Sequence, residues 1–90
     1  MTDSAQDYIA NVEEACGEER DFIVVFRYDK KDEAIAKILK RAKLEKSISQ
    51  LIYELTFKDA SFRLYRTGKA VFRKLADREK LDEILADLLL

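Results

Sequence analysis

The stretch from Asp21 to Tyr28 constrains this chain most. It reads Asp-Phe-Ile-Val-Val-Phe-Arg-Tyr, apolar at both odd and even positions. It is short for a helix and its β-branched residues are stiff at χ1, so it is expected as a strand with both faces covered. Such a strand needs neighbours and a packed layer, and 90 residues leave room for one domain to supply them. Nothing marks a linker: proline is absent and glycine occurs only at Gly17 and Gly68.

Other elements follow from spacing. Tyr8, Ile9, Val12, Ala15 and Cys16 form one helical stripe, with Ser4 as a cap and Gly17 as a left-handed stop, predicting a helix from about Ser4 to Cys16. Ile35, Ile38, Leu39 and Ala42 predict a second helix, capped by Asp29 or Asp32. Lys37, Lys40, Arg41 and Lys43 are then expected toward solvent and the negative helix end. The next segment reads two ways. Leu44, Ile48, Leu51, Ile52 and Leu55 sit at helical spacing behind a candidate capping box, Ser47 with Gln50, while Leu51, Tyr53, Leu55 and Phe57 alternate as in a strand. Phe62 to Arg66 and Ala70 to Leu75 alternate about Thr67 and Gly68 and predict a hairpin. From Asp77 as N-cap, Leu81, Ile84, Leu85 and Leu88 predict a final amphipathic helix. The run Leu88, Leu89, Leu90 exceeds what one stripe needs, and core and partner contact both stay open for it.

Composition narrows the chemistry. Hydrophobic residues make up 48% and charged residues 39%, enough for a core under a heavily charged surface. With no histidine and one cysteine, His-based acid/base chemistry, a His-containing metal site and an intramolecular disulfide are ruled out, and a reducing cytoplasm is the expected setting. No apolar run approaches the ~20 residues of a membrane span, and Met1 to Gln6 is polar, so neither a transmembrane helix nor a secretory signal is expected. Glu13, Glu14, Asp82, Glu83 and Asp87 fall on polar helix faces, where solvated charge is the expectation rather than metal binding or acid/base work. Cys16 precedes Gly17 at a helix C-terminal end, which disfavours the thiolate, so a buried structural cysteine is expected. Lys69 follows Gly68 without the glycine-rich run and the Ser or Thr of a phosphate loop. No nucleophile with a base, acid pair or cofactor loop can be assembled. The chain is therefore read as not an enzyme, with no catalytic, cofactor or metal residues and no small-molecule substrate.

Charge is unevenly placed. Residues 1–33 hold four basic and ten acidic side chains, and residues 34–80 hold thirteen basic and five acidic, although the formal net charge is only -1. A basic middle behind an acidic front fits complementary solvated faces better than dense coating of DNA, and still leaves room for a local phosphate-binding face.

One stretch carries a resemblance. Leu51, Ile52 and Tyr53 stand seventeen positions before Gly68 of Thr67-Gly68-Lys69; Ala70, Val71 and Phe72 follow, then Asp77, Arg78 and Glu79. In this order and spacing, Leu51 to Ile84 resembles, without a gap, the second half of one repeat of the TATA-box-binding protein fold. Phe22 to Leu44 is similar to the earlier strand and helix only in pattern, and Met1 to Arg20 has no counterpart. A similar lone repeat forms the substrate-contacting front domain of the bacterial type-three ribonuclease H. The resemblance implies an α+β fold: a curved antiparallel sheet of four to five strands with helices on one face, residues 21–90 forming the half-saddle repeat and residues 1–20 an extra N-terminal helix. It favours the strand reading for Ile48 to Phe57.

On that sheet, alternation sends Val24, Phe26, Leu51, Tyr53, Leu55, Phe57, Phe62, Leu64, Ala70 and Phe72 to the helices. Ile23, Val25, Arg27, Ile48, Arg63, Tyr65, Val71 and Arg73 go to the other side. In the family that side lies on the DNA minor groove and its aromatic wedges kink base steps; Ile48 and Tyr65 fall at the wedge positions. Glu54 stands for the family Arg, Ile23 for the base-reading Asn and Arg73 for a Thr, which count against TATA recognition. A single repeat rebuilds a saddle only as a homodimer, joined through edge strands. The expected function is a small noncatalytic module that dimerises or docks on a transcription- or RNA-related assembly through Arg27, Ile48, Arg63, Tyr65, Val71 and Arg73. The alternative is nucleic-acid binding by the same face, Tyr65 stacking a base and the arginines holding phosphates. The structural rival is a winged helix, with Leu44 to Leu55 as recognition helix.

Overall fold

Alternation decides the architecture. In the computed structural model, which describes residues 5–15, 21–75 and 77–90, strand β2 (Asp21–Phe26) buries Phe22, Val24 and Phe26 and leaves Asp21, Ile23 and Val25 half-buried. One face is thus fully covered and the other partly, where both were expected to be covered. Strand β5 (Ala60–Tyr65) buries Ala60, Phe62 and Leu64, and β6 (Lys69–Arg73) buries Ala70 and Phe72. Phe22 lies opposite Phe72, which lies opposite Phe62, and the rings of Phe62 and Phe72 stack at 4.6 Å. Leu55 of β4 (Ile52–Phe57) continues the row, with Tyr53 and Phe57 packed at its margin.

The remaining strands are β1 (Ile9–Ala15) and β3 (Lys43–Ser47), giving six strands in the order β1-β2-β6-β5-β4-β3, with every neighbouring pair antiparallel. Helix α1 (Lys31–Arg41) carries the chain from β2 to the far edge at β3, and the meander β3 to β6 returns it to β2. Helix α2 (Arg78–Leu89) follows. Ala34, Ile35 and Ile38 of α1 and Leu81, Ile84, Leu85, Leu88 and Leu89 of α2 join the strand residues in one core. The fold is α+β, with helices on one face of the sheet. Leu88 and Leu89 are core and Leu90 is half-exposed.

Four local expectations are corrected. The helix read over Ser4 to Cys16 is a single 3₁₀ turn, Ala5–Tyr8, followed by β1; Ser4, Cys16 and Gly17 lie outside the described residues. A register shift between Ile9 and Asn11 sets Ile9 opposite Phe26 and Val12 opposite Val24, so a β-bulge puts residues three apart on the same face and imitates helical spacing. The ambiguous segment resolves into two strands: Lys43–Ser47 is a strand of its own, with a register shift between Leu44 and Lys46, Ile48 to Leu51 is a turn that carries two members of the helical stripe, and the next strand starts at Ile52 rather than Ile48. Among the described residues the sheet therefore has six strands, not four to five, and no recognition helix exists over Leu44 to Leu55. Leu51, expected under the helices, is 56% exposed in the turn. Finally, α1 begins after Lys30, with no side-chain cap from Asp29 or Asp32; Asp32 and Glu33 instead sit in its first turn, where the helix dipole favours them. Asp77 does cap α2, accepting from the Lys80 N–H at 2.9 Å.

The basic face of α1 is not all turned to water. Helix α2 has no basic residue in its last turn. Lys37 Nζ donates to the Leu89 carbonyl at 3.1 Å and to the Tyr8 hydroxyl at 2.7 Å, and Arg41 Nη1 donates to the Asp87 carbonyl at 3.1 Å. Two cations of α1 thus satisfy the carbonyl end of α2 and oppose its negative dipole. Lys58 closes the same corner by donating to Asp87, and that hydrogen bond holds its ammonium above the ordinary lysine range. At the other end of the sheet Gly68 takes φ 114°, its N–H donates to Tyr65 and its carbonyl accepts from Phe26. A Cβ there would stand 3.1 Å from Lys31 Cδ.

Two stability measurements check this account. Lys37→Met should cost about 1–2 kcal/mol in urea unfolding, because it removes a charge-assisted cap and leaves the Tyr8 hydroxyl without its donor. Gly68→Ala should cost a similar ~1–2 kcal/mol from positive φ alone; a chain as stable as the native one would contradict the turn.

Candidate functional site

No described helix packs on the second face of the sheet, and strand register builds it in rows. The central row runs Glu13, Ile23, Val71, Arg63, Glu54, Lys46 from β1 to β3. The row nearer the β5–β6 turn runs Asn11, Val25, Lys69, Tyr65, Ile52, and Ile48 extends it, its N–H donating to the Ile52 carbonyl at 3.0 Å. Toward the other end lie Arg73, Ser61, Thr56 and Lys43. Of the residues singled out beforehand, Arg63, Tyr65, Val71, Arg73 and Ile48 therefore share one face. Arg27 does not join them. It lies past the end of β2, its N–H donates to the Tyr8 carbonyl, and it lines a separate depression with Asp7, Tyr8, Lys30 and Glu33.

The chemistry of the face is mixed. Ile23, Val25, Ile52, Tyr65 and Val71 are half-buried and Ile48 is 42% exposed, so an aliphatic and aromatic strip crosses the sheet. Lys69 Nζ sits over the Tyr65 ring at 5.0 Å, a cation–π contact within the same row. Beside the strip is a shallow depression of about 190 Å³ lined by Glu45, Glu54, Thr56, Ser61, Arg63 and Arg73, among others. Glu45 accepts from Thr56 at 3.0 Å and pairs with Lys43 at 3.6 Å. Arg63 donates through Nε at 3.1 Å and Nη2 at 2.9 Å to one oxygen of Glu54. That carboxylate, and then the Tyr65 hydroxyl, hold the guanidinium above its already high ordinary value.

Glu54 is the residue that sequence reasoning passed over as a mere departure from a family pattern. Its signal is positional: the two-residue turn Lys58-Asp59 pairs Phe57 with Ala60 and so sets Glu54 directly opposite Arg63. One of the three arginines expected to hold phosphate is thereby occupied by a carboxylate. Arg73 and Lys46 make no ion pair among the described residues. Asp82 is paired with Arg78 and Asp87 with Lys58, and among the described residues no three acidic or cysteine side chains are grouped to hold a metal ion. No family model, curated protein or solved structure matches the chain.

The face can turn mainly basic by one substitution. Glu54→Gln frees Arg63 for an outside anion, and because the pair lies partly exposed to water the thermal midpoint should stay near that of the native chain. Fluorescence anisotropy with labelled single-stranded DNA at low salt should show binding stronger than that of the native chain; equal binding would mean that Glu54 does not govern the charge of the face.

Proposed function

We propose that the chain is a small noncatalytic, cytoplasmic interaction module, a half-saddle of the TATA-box-binding-protein-like type, that dimerises or docks on a transcription- or RNA-related assembly through the open sheet face. The observation that carries this reading is the Glu54–Arg63 pair, lying beside an aliphatic strip that no described helix covers. Apolar side chains that alternate onto an unlayered face gain by meeting another surface, and a neutralised arginine suits a protein partner better than a phosphate chain. Helices confined to one side of an antiparallel sheet, and a last helix opening at Asp77, support the half-saddle assignment.

A second reading, nucleic-acid binding by the same face, is favoured by Arg73 and Lys46, which make no ion pair among the described residues, and by Tyr65 with Lys69 over its ring. Titrating labelled single- and double-stranded DNA and RNA at low and high salt separates the two. Weak or no binding at physiological salt is expected. Tight, salt-dependent binding that Arg63→Ala with Arg73→Ala abolishes would replace the first reading with the second, and Tyr65→Ala would then cost ~1–3 kcal/mol if a base stacks there.

A further inference from the structure

The open face has a handedness of charge that selects a partner. Its outermost residue in the central row is Glu13 on β1 and Lys46 on β3, at opposite ends of the same row. Glu13 is met by the Asn11 amide at 3.2 Å, and neither Glu13 nor Lys46 has an ion-pair partner among the described residues. The midline of the six strands falls between β6 and β5.

Resting on the interaction-module reading, we infer that the occupant of this face is a second copy of the chain, packed sheet against sheet about a two-fold axis parallel to the strands and lying between β6 and β5. That rotation sets β1 over β3 of the second copy, β2 over its β4 and β6 over its β5, while keeping each row on its counterpart. Glu13 then meets Lys46, Val25 meets Ile52 and Lys69 meets Tyr65, each contact formed twice by symmetry. Only part of the apolar strip faces itself, at Val25 on Ile52, while Ile23 comes to lie over Glu54 and Val71 over Arg63 of the second copy, and the cation–π partners can be exchanged between copies. The Arg63–Glu54 pair enters the interface already formed, so neither of its charges is buried alone, and Arg73 lies over Ser61 of the second copy toward the end of the face.

The other arrangements oppose like charges. A two-fold axis across the strands lays β1 on β1 and β3 on β3, bringing Glu13 toward Glu13 and Lys46 toward Lys46. Joining edges β1 to β1 brings Glu13 and Glu14 toward their own copies, and β3 to β3 brings Lys46 toward itself, Lys43 being already paired with Glu45. Both edges also carry a bulge, which disrupts a continuing ladder. The helix side is filled by α1 and α2. Size permits the face arrangement: six strands about 4.8 Å apart and five to seven residues long span roughly 24 by 18 Å, a flat footprint of about 430 Å² that side-chain relief enlarges toward the low end of the ~800 Å² per partner buried by a standard interface. Facing sheets stack about 10 Å apart with strands within about 30° of parallel, as this axis allows.

Charge exchange tests the arrangement. Sedimentation equilibrium of the full chain should show a dimer. Glu13→Lys and Lys46→Glu should each weaken association at least about tenfold, since each places two like-charged contacts in the interface. The chain carrying both substitutions should recover to within about threefold of the native chain, because the contact is restored with its sign reversed. Val71→Arg, at the centre of the face, should abolish the dimer, with circular dichroism checking that every variant folds. A native chain that stays monomeric at about 1 mM, a double variant as weak as the singles, or a Val71→Arg chain that dimerises like the native one overturns the second copy as occupant. None of these results touches the interaction-module reading, which the nucleic-acid titration decides separately.

Discussion

The pairing of β2 with β6 is the contact on which the rest of the structure depends. It joins Phe22 to Phe72 and Val24 to Ala70 across fifty and forty-six positions of chain, and it turns a four-stranded meander and a separate β1–β2 hairpin into a single sheet. The row it completes, Phe22, Phe72, Phe62 and Leu55, is the floor on which both helices lie. Each of these side chains is nearly excluded from water, and burial of that kind stabilises by roughly 1.5–3 kcal/mol per large apolar residue. Without the pairing, α1 would span from one hairpin to another with no common surface beneath it.

The second organising feature is electrostatic and lies between the helices. The polar stripe of α1 is basic and α2 ends without a cation of its own, so Lys37 and Arg41 act on the carbonyls of Leu89 and Asp87. This distributes the charge of the basic middle differently from a uniformly solvated helix: part of it is consumed inside the fold. On the sheet the same thing happens at Arg63, whose charge is spent on Glu54. The excess of basic residues over residues 34–80 is thus larger in the sequence than on the surface available to a partner.

Where one residue type at one spacing has a single physical meaning, the sequence could be read directly. Phe22 to Phe26 gave a strand, Ile35 and Ile38 a helix, Gly68 a turn with positive φ, and Asp77 a capped helix start. Tyr65, Arg63, Val71 and Arg73 share one face, as the period of two expects on the sheet that the resemblance implies. Strand β1 was hidden because its bulge imitates helical spacing, Ile9 with Val12, and β3 because Ile48 and Leu51, which continue a helical stripe from Leu44, lie in the turn after it. The Glu54–Arg63 pair was hidden for another reason. It follows from the register of β4 on β5, which is set by a turn whose left-handed position is held by Lys58 at φ 56°, a residue that announces no turn. Arg27 was misplaced by extending the alternation beyond the last paired residue of its strand.

The order of strands also bears on how the chain reaches its fold. The meander from β3 to β6 is built from neighbours in sequence, so its loops close early, whereas β2 must find β6 across nearly the whole of that meander. Until it does, β6 is an exposed edge presenting Ala70, Val71 and Phe72, a short apolar segment of the kind that recruits strands from other molecules. Lys69 and Arg73 bracket that segment and Lys74 follows it. In the native sheet these cations sit on the border of a central strand; their placement on both sides of an apolar segment is that of gatekeeper residues, whose like charges oppose the edge-to-edge pairing of half-formed chains.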